Sequence, residues 1–212
     1  MRHHVSRTVA LGATRRWVET VVIGLSLCPW ARPVMDREAL RFVYSGAADA
    51  DRLLASVRCE LDVLGEALSG RMLAEVGDDV AAPETTIIVA PDAFADDFVA
   101  LNEFVQMDCQ EYLRAQGLDE AFQVVAFHPQ FRFADEDADD PSNFVNRSPF
   151  TTLHLLPQDA VTAAIEAAPE LAERLPQINQ ESLRSLGLRR VSQMVRDTAV
   201  MDDVDPGTQS SQ

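Results

Sequence analysis

The sequence has only three cysteines, and no two of them form a CxxC pair. Cys28, Cys59 and Cys109 are an odd, widely spaced set, which argues against a disulfide framework or a local zinc site and fits a reducing cytosol. Long apolar runs are also missing: Thr20 to Trp30, uncharged throughout, is too short to span a bilayer. Met1 to Gly12 carries basic residues without an apolar core, so it does not read as a secretory signal. Positive charge is scarce, with no basic cluster beyond short pairs, and the net charge is −16. Such a field repels polyanions, so the expected partners exclude nucleic acid and membrane, and the expected location is cytoplasmic. The acidity reads first as a solubility device. No GxGxxG, GxxxxGK[ST] or GxSxG occurs, so dinucleotide, P-loop and α/β-hydrolase chemistry lack their motifs, and the cofactor stays unknown.

What is present suits one domain: 212 residues, 47% hydrophobic and 25% charged. A helix is predicted over Thr14 to Leu27, with Thr14 as N-cap and Trp17, Val18, Val21, Val22 and Leu25 on one stripe. Leu40 to Tyr44 reads as a strand. Asp49 to Ser69 reads as a helix striped by Leu53, Val57, Leu61 and Leu64, with Gly70 after it. Arg71 to Pro83 is a loop or a weak edge strand. Thr85 to Ala90 is β-branched and reads as a buried strand. A helix over Phe94 to Gln116 stops at Gly117. Phe122 to Phe127 and Thr151 to Leu156 are strands on either side of a long loop. Gln158 to Ala168 and Asn179 to Leu186 are short helices. Asp202 to Gln212 has no apolar period and reads as disordered.

The order α, β, α, β, α, β, loop, β, α, α predicts a single-domain α/β fold with a small, mainly parallel sheet flanked by helices. A ferredoxin-like α+β arrangement is the alternative. The domain is placed at residues 14–188, with an N-terminal extension over 1–13 and a largely disordered tail over 189–212.

Candidate chemistry concentrates between Phe122 and Leu156. His128 follows a predicted parallel strand, at the carboxyl edge where α/β sheets bind ligands; Ser45 and Asp92 would share that edge. Its imidazole reads as a general base or metal ligand, or as a packed turn histidine. His154 reads as a second catalytic group or as a half-buried structural one. Arg147, between Asn146 and Ser148, offers a planar fork for a small anionic molecule, or an internal brace for the acidic loop from Asp135 to Asp140. That loop lacks the EF-hand pattern and reads as solvated charge. Cys28 reads as a pocket-lining thiol at a helix C-terminus, or as a small buried hydrophobe.

Leu27-Cys28-Pro29-Trp30, Phe127-His128-Pro129, Asn146-Arg147-Ser148-Pro149 and Leu153-His154-Leu155 together resemble the signatures of a bacterial family of unknown function, DUF1415. The resemblance covers roughly Thr14 to Leu188. Trp30 stands where the family usually has Phe. It implies a cytosolic bacterial protein and no particular activity.

Three functions follow as expectations. The first is an enzyme acting on a small anionic substrate by histidine acid/base chemistry, with His128, His154 and Cys28 catalytic and Arg147, Asn146 and Ser148 binding substrate. The second is a non-catalytic accessory protein whose acidic surface meets a basic, unidentified protein partner. The third is a metalloprotein using His128, His154 and a carboxylate. On the first, His128, Arg147 and Cys28 line one pocket.

Overall fold

The computed structural model describes residues 5–70 and 82–200. A four-stranded sheet forms its middle layer: β1 (Leu40–Tyr44), β2 (Thr85–Val89), β3 (Phe122–Phe127) and β4 (Thr152–Pro157), in spatial order β1-β2-β4-β3. β1 pairs parallel to β2, while β4 runs antiparallel to both β2 and β3. Three strands therefore point one way, and the fourth is inserted between two of them. The single-domain α/β reading holds, and this strand order is the mixed form of the expected sheet. β2 is buried along its whole length, as a central β-branched strand must be.

Helices cover both faces. On one lie α3 (Ala50–Leu68) and the pair α4 (Phe98–Phe104) and α5 (Gln110–Gln116), joined by a π-helical turn at Val105–Cys109. Leu53, Val57, Leu61, Leu101, Phe104 and Leu113 pack there against Ile88, Val124, Leu153 and Leu155. The other face carries α1 (Arg7–Trp17) with its π-helical continuation Val18–Ile23, and, late in the chain, α7 (Pro169–Leu186) and α8 (Leu188–Ala199). Trp17, Val21, Leu183 and Val191 pack there against Leu40, Ile87 and Val89. Two short helices, α2 (Ala31–Asp36) and α6 (Gln158–Ala167), complete that side.

Several boundaries differ from the sequence reading. The first helix begins at Arg7, capped by Ser6, whose side chain accepts from Val9 N. Thr14 is instead inside it, its hydroxyl donating to Ala10 O at 2.9 Å. Residues 7–13, expected outside the domain, supply the fully buried Ala10 and Ala13. The helix stops at Ile23, so Cys28 follows a turn through Ser26 at φ 57° and is not the helix end. Phe94 lies in a turn at φ 51°, and Asp97 caps α4 by accepting from Ala100 N. The stretch after Leu188, expected as tail, is helix α8 as far as Ala199, packed on α1 through Val191 and Met194. Its apolar residues are spaced for one face, and the arginines between them disguise the stripe. Most of the ambiguous Arg71–Pro83 stretch, and the expected tail from Asp202, lie outside the described residues.

Candidate functional site

His128 is fully buried. Its Nδ1 accepts from Gln130 N at 3.0 Å, so the proton sits on Nε2, which donates to Phe94 O at 2.8 Å. Burial lowers its pKa and keeps it neutral. Both nitrogens are thus occupied in joining the Pro129 turn to the strained left-handed turn at Phe94. The ring packs 6.0 Å from Phe98, on the α4 side of the sheet.

Arg147 is equally engaged. Its Nε donates to Phe131 O at 2.9 Å and its Nη2 to Ala138 O at 2.7 Å, with the guanidinium stacked over Phe144. Burial is the main influence on it and lowers its pKa. Ser148 Oγ donates to Phe150 O, and the Asn146 carbonyl accepts from His128 N. Asn143, fully buried and unremarked in the sequence, accepts from Phe133 N and donates to Asp137 O and Ala138 O. Arg184 of α7 ties down Glu136 and Asp140. The acidic loop is therefore stitched from within. It leaves a shallow cleft of about 880 Å³ lined by Phe98, Phe131, Phe133, Asp97, Asp139 and Arg147.

His154 and Cys28 lie elsewhere, together, in a cavity of about 620 Å³ on the α1 face of the sheet. Its floor is Leu40, Ile87, Val125, Phe127 and Leu156; its walls are Trp17, Val18, Val22 and Trp30; its roof is Ala31 and Val34 of α2 with Ala160, Val161 and Ala164 of α6. The cavity occupies the end of the sheet where β1, β2 and β3 begin, as Leu40, Thr85 and Gln123 show. This is the edge opposite to the one expected from the parallel-strand rule. An exposed Arg37–Glu84 ion pair lies at its margin.

Inserted between Ile87 of β2 and Val125 of β3, His154 projects from β4 into this cavity. Its Nε2 lies 2.7 Å from Thr85 Oγ1, and that hydroxyl is 2.6 Å from Leu155 O. A hydroxyl has one proton, and the carbonyl can only accept it. The imidazole therefore donates from Nε2, and Nδ1 keeps a lone pair with no partner among the described residues. The ring is half-buried by area and lines the cavity. Loss of hydration there lowers its pKa to about 4, so it is neutral at pH 7. On the adjoining wall Trp17 leaves a buried indole N–H unpartnered. Burial raises the Cys28 pKa, against two backbone hydrogen bonds that lower it, so the group is a thiol and not a thiolate.

The structure thus separates the expected trio. Cys28 and His154 share a cavity, while His128 and Arg147 are on the far side, committed to the loop. His128 and His154 cannot share a metal, and among the described residues no group of three metal-binding side chains converges. Thr85, which sets the His154 tautomer, went unnoticed because nothing in a β-branched run marks one threonine as a partner. The small-residue pattern of α6, Ala160 to Ala164, was the one available signal for a cavity roof.

Residues 10–193 match the model of the family described as a protein of unknown function, DUF1415, and the chain belongs to that family. No curated protein and no solved structure matches it. Among the described residues no helix is long and apolar enough to cross a membrane.

Proposed function

We propose that this DUF1415 member is a small-molecule protein whose ligand occupies the apolar cavity, with His154 as its hydrogen-bonding and acid/base group. The observation that carries this is an unpartnered imidazole nitrogen in a mainly apolar cavity whose size suits a small ligand. The general-base role expected at His128 moves to His154, because of the two described histidines only His154 keeps a ring nitrogen unspent. The substrate changes with it. An anionic substrate was expected from Arg147, whose Nε and Nη2 donate to loop carbonyls outside this cavity; the cavity favours a mainly apolar, neutral molecule. With a pKa of about 4, His154 is a weak base in the empty cavity. It accepts a hydrogen bond first, and takes a proton only where negative charge on a substrate raises its basicity.

Trp17 and Trp30 are the only tryptophans, and both line the cavity, so intrinsic fluorescence reports on it directly. Titration with 1-naphthol, an apolar body with one hydroxyl, is expected to give a saturable change. His154→Leu should weaken binding roughly fivefold, the loss of one hydrogen bond worth about 1 kcal/mol. Absence of saturable binding to the wild type would defeat the reading.

A second reading, docking of a basic protein segment, is favoured by the other cleft. There Asp97 and Asp139 flank three phenylalanines in edge contact beside the exposed Val99. A charge-neutral Phe133→Ala that left such binding intact would remove this reading.

A further inference from the structure

The cavity crosses the whole sheet. Its lining includes Leu40 of β1, Ile87 of β2, His154 of β4 and Val125 of β3, one contributor from each strand in spatial order. Neighbouring strands lie about 4.8 Å apart, so three spacings make a slot roughly 14 Å long. Alkyl side chains form most of its surface. His154 sits on the third strand of the order, leaving the longer arm of the slot running toward β1 and Trp30.

The roof is unusual. Neither α2 nor α6 contains a buried residue, although both present apolar side chains to the slot. Short helices owe most of their stability to packing of an apolar face. Here those faces meet a cavity. The head group is constrained as well. A carboxylate would meet the Nδ1 lone pair unless the ring were first protonated against its burial, the unpartnered Trp17 N–H on the wall is uncharged, and the Arg37 guanidinium at the margin is held by Glu84 at 2.8 Å. A hydroxyl offers the proton that Nδ1 can accept.

Resting on the cavity reading above, we propose that the ligand is a neutral alkyl-chain molecule of the primary-alcohol type. Its hydroxyl donates to His154 Nδ1. Its chain lies across the strands toward β1, and α2 and α6 close over it, gaining the packing they lack in the empty cavity.

The test titrates the full chain at pH 7.5 with 1-butanol, 1-hexanol, 1-octanol and 1-decanol, followed by tryptophan fluorescence, with octanoate and 1-naphthol in parallel. Affinity should rise roughly three- to fourfold for each added methylene, the usual gain for burying one. The rise should level off near the octanol length, since two strand spacings, roughly 10 Å, accommodate about eight carbons. Octanoate should bind at least tenfold more weakly than octanol. Ala164→Phe, which fills the slot from a half-buried roof position, should weaken octanol at least tenfold and butanol little, with an unchanged melting temperature. If 1-naphthol binds but affinity ignores chain length, or octanoate binds tighter than octanol, the alkyl-alcohol inference falls and the cavity reading stands. If neither naphthol nor any alkanol binds, both fall. A dimer in sedimentation that alkanols must dissociate would make the slot a subunit interface and overturn the proposal.

Discussion

The acidic loop and the apolar cavity are opposite kinds of region. In the loop, His128, Asn143, Arg147 and Ser148 have partners within the chain, and Arg184 of α7 pairs with its acids. In the cavity, polar groups are few, yet His154 Nδ1 and Trp17 Nε1 have no partner among the described residues. The loop looked like a site because its polar residues are dense. A long irregular segment must satisfy its own backbone, and it recruits side chains to do so. Density of polar residues mainly marked a structural need, although the buried Ser142 Oγ of the loop has no partner among the described residues; at the cavity the unpartnered nitrogens belong to residues lining a space that a ligand can fill.

The largest effect that sharpens this contrast is expected from Asn143→Ala. Two short part-buried hydrogen bonds and a longer one at 3.4 Å vanish, at about 1–1.5 kcal/mol for each short bond and less for the long one, so chemical denaturation should show a loss of about 3 kcal/mol. A loss below about 1 kcal/mol would mean the loop is held by something other than its internal bonds.

Next comes the acid response of the cavity. The His154 pKa is depressed in the fold to about 4, from an ordinary 6.5. Between those values the unfolded chain binds the proton more readily. Stability is therefore complete above pH 6.5 and declines as pH falls to 4, by up to about 3 kcal/mol. The lowered pKa of His128 acts in the same direction. His154→Leu should flatten most of this decline, measured as the difference in unfolding free energy between pH 7 and pH 4.5. An unchanged decline would show that His154 does not titrate as a buried group.

Arg147→Lys follows, with an expected loss of about 2 kcal/mol, because one ammonium cannot span the carbonyls of Phe131 and Ala138 or stack on Phe144. Proteolysis within 131–140 should quicken in the same variant. A stable variant would return Arg147 to the list of ligand-binding residues. The smallest effect is expected at the roof: Ile165, 47% exposed on α6, should tolerate serine with a change under about 0.5 kcal/mol. A large loss would mean that α6 is packed on something more than the cavity.

Much of the fold was legible. The bounds of β1 and β3 follow from their apolar runs, α3 from its leucine stripe, and the end of α5 from Gly117 at φ 66°. These are local signals, set by side-chain spacing and backbone preference within a few residues. The early start of α1 and the existence of α8 were missed because polar residues surround their buried positions, and what buries Ala13 or Val191 is distant in sequence.

The sequence by itself determined most of the elements, the class of the fold and which side chains possess reactive atoms; His154 and Cys28 were both marked. Tertiary structure decided the insertion of antiparallel β4 between β2 and β3, since a loop long enough to return in either direction carries no instruction about which. That insertion sets His154 over Ile87 and Val125, within reach of Thr85. It also decided that both ring nitrogens of His128, and Nε and Nη2 of Arg147, are bonded within the chain while Nδ1 of His154 has no partner among the described residues. A residue's type fixes what it can donate or accept; whether that capacity remains for a ligand depends on neighbours that only the folded chain brings together.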